Sequence, residues 1–111
     1  MIYEVWKFPI EPADRIGVRL PTGAVLLSIQ VKADDHQVYL WAAVDPKAET
    51  ELREFRLIPT GVAFEAENLR GRPHQQEVMC QGTNLTYVGT FQIIEAPHVL
   101  VFHLFEIDRR S

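Results

Sequence analysis

One cysteine in 111 residues excludes an intrachain disulfide, and with it a fold stapled for an oxidising compartment. Basic charge is also short. Eleven Lys and Arg against fifteen Asp and Glu leave a net charge of −4, which argues against a general attraction to nucleic acid or to an anionic membrane. No apolar run approaches the roughly 20 residues that span a bilayer, and the densest, 99–105, holds His103. The opening residues carry Glu4 and Lys7 inside their apolar stretch and lack the uninterrupted core of a signal peptide. They read as mature structure in a reducing cytoplasm, with no membrane expected.

Motifs for familiar chemistry are missing as well. The six glycines are dispersed, so neither a dinucleotide fingerprint nor a phosphate-cradling loop is present. His36, His74, Cys80, His98 and His103 contain no Cys-x-x-Cys or His-x-x-x-His pair, and neither a metal nor another cofactor is expected. No Gly-x-Ser-x-Gly stands in the chain, and Cys80 with a histidine is the one dyad from which nucleophilic catalysis is conceivable.

What the chain does have is a hydrophobic fraction of 47%, enough for one ordinary core in a single domain spanning residues 1–111. Its apolar residues recur with a period of two. In 37–44, Val38, Leu40, Ala42 and Val44 fall on one side and Tyr39 and Trp41 on the other, as in a half-buried strand. In 24–31 the odd positions Val25, Leu27, Ile29 and Val31 are expected to face the core, with 33–36 as the turn of a hairpin. Residues 2–10 read as an edge strand ending at prolines, and 15–20 and 52–58 as further strands closed by Pro-Thr-Gly turns.

Residues 85–94 and 99–107 form a second expected hairpin about the turn 95–98. The last strand is apolar on both faces and is expected to be central in its sheet or covered. Between about 61 and 84 alternation lapses, and a polar, inserted loop is expected there, the first place to look for a ligand or partner. The expected fold is all-β: a small antiparallel sandwich or partly closed barrel of about six or seven strands.

The candidate binding residues follow from this layout. Trp6 and Trp41 stand on strands, where tryptophan often marks an interface. Arg53, Arg56, Arg70 and Arg72, interleaved with aromatics, offer a site for a small anionic, nucleotide-like ligand. His74 lies in the expected loop, and His103 alternates with Val101 and Phe105 on the last strand.

The runs 20–31 (LPTGAVLLSIQV), 40–46 (LWAAVDP), 87–92 (YVGTFQ) and 100–106 (LVFHLFE), with the opening YEVWKFPI, resemble a family of small uncharacterised bacteriophage and prophage proteins. They come in that family's order and cover most of the chain, and against it residues 70–84 look like an insertion. The resemblance brings no catalytic residue. It implies a phage or prophage accessory protein in a bacterial cytoplasm. The function expected of it is non-catalytic binding, to a host protein or to itself as a homo-oligomer, through the aromatic strands and the 61–84 loop, with an anti-defence role inside that class suggested by the resemblance and the small size. Capture of the anionic ligand is the alternative, and an enzyme built on Cys80 the further one.

Overall fold

The computed structural model describes residues 1–32, 36–65, 68–72, 75–80 and 83–109, with 68–72 and 75–80 described by their backbone. Nine strands occur among them: Glu4–Ile10 (β1), Arg15–Pro21 (β2), Val25–Val31 (β3), Val38–Val44 (β4), Thr50–Pro59 (β5), Asn68–Arg72 (β6), Gln75–Cys80 (β7), Thr83–Glu95 (β8) and His98–Arg109 (β9). They form two open antiparallel sheets, one ordered β1-β4-β3 and the other β2-β5-β9-β8-β7-β6. The fold is therefore all-β and sandwich-like, with no closed barrel. Seven strands make its body, and the β6–β7 hairpin extends the larger sheet beyond β8.

Alternation explains which residues lie between the layers. Val38, Leu40, Ala42 and Val44 of β4 are buried against Phe55 and Leu57 of β5, Leu20 of β2, Phe91 of β8 and Leu104 of β9. β9 lies between β5 and β8, as its two apolar faces require. On its outer side Ile58 and Leu85 form a second buried pair, flanked by Phe105 and Ile107.

Two expectations are corrected. The first concerns β3, whose odd positions do not all face the core. Val25 is 60% and Leu27 51% exposed, while Ile29 is buried and Leu26 packs against the core. The cause is a β-bulge between Leu26 and Ser28 against β4, which inserts one residue and exchanges the faces upstream of it. The second concerns residues 61–84, which are not one polar loop. They contain β6 and β7, paired from Asn68↔Met79 to Arg72↔Gln75, and β7 continues onto β8 from Glu77↔Thr86 to Cys80↔Thr83. A hairpin paired to an existing strand satisfies its backbone whatever its side chains, so weak alternation does not prevent it.

The layers touch most closely where β3 crosses β8. A Cβ on Gly89 would lie 2.8 Å from Ile29 Cγ2, so only glycine admits this approach. The layers are also joined through one arginine, whose ion pair lies within the larger sheet and whose remaining donor reaches the smaller one. Arg53 on β5 donates from Nε and Nη2 to the Glu106 carboxylate of β9 at 2.6 and 2.7 Å, and from Nη1 to the Ala24 carbonyl at 2.5 Å. Ala24 precedes β3, so one guanidinium stitches the two sheets together. Its pKa is raised, chiefly by the hydrogen bond to Glu106, against the opposing effect of burial. A raised value means that its contribution is full at neutral pH and is lost only in strong alkali.

Replacing Arg53 by Met should strand the Glu106 carboxylate. The side chains retain 18% and 22% exposure, so a loss of about 1–3 kcal/mol is expected in urea unfolding. A change below about 0.5 kcal/mol would show the pair to be dispensable.

Candidate functional site

The structure separates residues that the sequence had grouped. Trp6 pairs with Ala42, and Lys7 with Trp41; directly opposed residues share a face, so the two tryptophans stand on opposite faces of one sheet. Trp6 points toward the margin of the core and donates its Nε1–H to Glu4 at 2.9 Å. Trp41 looks outward. Arg53 lies on the inner face of β5 in its pairing with Glu106, whereas Arg56, opposite Phe105, lies on the outer face. The backbone places Arg70 and Arg72 on β6 and Cys80 on β7; their side chains, and His74 altogether, lie outside the described residues.

His103 anchors the most developed polar arrangement on the described surface. It stands on the outer face of β9 opposite Thr90 of β8 and beside the turn that follows β5. In that turn the Val62 N–H reaches the Pro59 carbonyl, and Gly61 takes φ 84°, the left-handed position that favours glycine. This leaves Thr60 beside the ring. Thr60 Oγ1 is 2.7 Å from His103 Nε2, Thr90 Oγ1 is 2.9 Å from Nδ1, and Tyr87 OH is 2.5 Å from Thr90 Oγ1.

A neutral imidazole donates from one nitrogen and accepts at the other. The threonines therefore take opposite roles, and the chain Tyr87–Thr90–His103–Thr60 can carry its hydrogens in either direction. Thr60, Thr90 and Tyr87 were not singled out in the sequence. The tight turn held the signal, because pairing Glu95 with His98 carries Thr90 to His103, five residues along each strand.

Thr90 also lines a groove of about 500 Å³ with Ile29, Val31, His36, Phe91 and Ile94, a size typical of small-molecule sites. No group of three or more His, Cys, Asp or Glu suited to a metal ion occurs among the described residues. Nor, among them, is any helix long and apolar enough to cross a membrane.

The other distinctive surface is the outer face of the three-stranded sheet. Its rows, read from the register, are Val5–Ala43–Val25, Lys7–Trp41–Ser28 and Pro9–Tyr39–Gln30. Lys7 is the one charge in these rows, and its Nζ lies 4.7 Å from the centre of the Tyr39 ring. A solvated sheet face is ordinarily polar; this one is mainly apolar and aromatic, with Lys7, Ser28 and Gln30 as the polar members of its rows.

Fold and surfaces thus define an all-β, two-sheet protein with an aromatic sheet face on one layer and a hydroxyl–imidazole chain on the other. Over residues 1–111 the chain matches the family described as a domain of unknown function (DUF7352), and it belongs to that family. No curated protein and no solved structure matches it.

Proposed function

We propose that this chain is an accessory protein that acts by binding, and that its binding surface is the outer face of the β1-β4-β3 sheet. The observation that carries this is the exposure of Val5, Val25 and Leu27, at 59%, 60% and 51%, around half-buried Trp41 and Tyr39 with a single charge among the paired rows. Interfaces are enriched in such aromatics and poor in charge at their centres. A second copy is the partner proposed, since an apolar sheet face is complementary to itself under two-fold symmetry. The resemblance of the runs around Trp41 and His103 to phage and prophage proteins supports a phage accessory role in a bacterial cytoplasm. Anion capture has less support, because the Arg53 fork is already occupied by Glu106.

Native mass spectrometry over a concentration series tests the reading. A dimer is expected, and Trp41→Glu should weaken it by about 30-fold or more while leaving the melting temperature of the monomer unchanged. A wild-type chain that stays monomeric at high concentration, or a dimer indifferent to Trp41→Glu, would overturn it.

A further inference from the structure

Beyond the binding reading and independent of it, the geometry points to a nucleophilic site: Thr90, activated by His103, accepts acyl groups from small aliphatic esters. A hydroxyl nucleophile is recognised by a base within about 2.6–3.2 Å that is itself oriented by a third group. Thr90 Oγ1 lies 2.9 Å from His103 Nδ1, and Thr60 Oγ1 holds Nε2 from the other side at 2.7 Å. Thr90 is the member of this chain that borders the groove, whose apolar residues Ile29, Val31, Phe91 and Ile94, with Gln30, Gln92 and His36 beside them, suit a short aliphatic acyl group.

In the productive direction His103 donates Nε2–H to Thr60 and accepts the Thr90 proton at Nδ1. Thr90 Oγ1 then bonds to the ester carbonyl carbon as its proton passes to Nδ1. In this direction Tyr87 OH, 2.5 Å from Thr90 Oγ1, donates to that oxygen, which leaves the Thr90 hydrogen for Nδ1. The bond to the leaving alcohol breaks, and the alcohol departs with the proton from Nδ1. Water, giving a proton to Nδ1, attacks the acyl-threonine; the acid is released and the Thr90 hydroxyl restored. A threonine behind the imidazole stabilises the imidazolium less than a carboxylate does, so both steps are expected to be slow; an activated ester, whose good leaving group speeds acylation alone, leaves deacylation behind, and the acyl-threonine accumulates as a stoichiometric label.

The test is incubation of the intact protein with p-nitrophenyl butyrate, followed by intact-mass and peptide mass spectrometry. One butyryl group is expected per chain, on the peptide bearing Thr90. Thr90→Val should abolish the label and Thr90→Ser retain it, and His103→Gln should slow labelling by about 100-fold. Thr60 is a positioning residue: Thr60→Val should slow the reaction and Thr60→Ser restore it, which a merely structural loss would not do. Label on Thr60, Tyr87 or a lysine, or equal rates in Thr90→Val or His103→Gln chains of unchanged melting temperature, would overturn the assignment.

Discussion

Truncating Phe55 to alanine is expected to cost about 3–5 kcal/mol, the range for emptying a buried aromatic site. Phe55 is completely buried at the middle of β5, between Ile16 of β2 and Glu106 of β9 in the register. Strands on both sides fix the backbone there, so the space left behind cannot collapse. The cavity would also open beside the Glu106 carboxylate and admit water to its pairing with Arg53. A domain of this size has about 5–15 kcal/mol to lose, and a fall in melting temperature of roughly 10 °C or more is expected. The internal control is Leu52→Ala. Leu52 stands on the opposite face of the same strand, 55% exposed, and its loss should stay near about 0.5 kcal/mol. Similar values for the two, by calorimetry or urea unfolding, would mean that the space between the sheets is not the main core.

Gly89→Val is expected to be nearly as damaging, for the opposite reason. The new Cβ would fall 2.8 Å from Ile29 Cγ2, and Ile29 is itself buried and branched at Cβ, so its methyl has few rotamers into which to retreat. Either β3 lifts from β8 or the bulge at Tyr87/Gly89 is redrawn. Overpacking of this kind costs about 1–3 kcal/mol, with more where backbone must move. A paired Ile29→Ala substitution should return part of the loss, because it removes the atom in the way; the double-mutant cycle would show a favourable coupling. If Gly89→Val is neutral, or if Ile29→Ala simply adds to it, the close crossing is not what requires glycine.

Much of this architecture could be read from residue order, and the exceptions have physical causes. β4 was legible because its alternation is uninterrupted, and β8–β9 because a short turn joins two long apolar strands. The central place of β9 followed from its lack of a polar face. β6 and β7 were not legible, since the sequence there does not alternate, and it is backbone pairing of β6 to β7 and of β7 to β8 that marks them as strands. The candidate site divides in the same way. His103 was visible as a lone histidine among apolar neighbours, but Thr60 and Thr90 acquire meaning only through cross-strand register and the turn after β5. Trp6 and Trp41 looked alike as aromatic residues on strands. They differ because their positions have opposite parity once β1 is paired with β4.

Parity has a further consequence in β3. A strand normally sorts its residues into two classes, and an apolar surface on its far side must be gained by giving up polar positions there. The bulge between Leu26 and Ser28 acts like a shift of reading frame. Upstream of it one frame sends Val25 outward, and downstream the other keeps Ile29 inward, so a run of nearly unbroken hydrophobicity serves two surfaces in succession. The outward residues can then change without altering any that the interior uses. One inserted residue thus uncouples the chain's outward face from the requirements of its own folding.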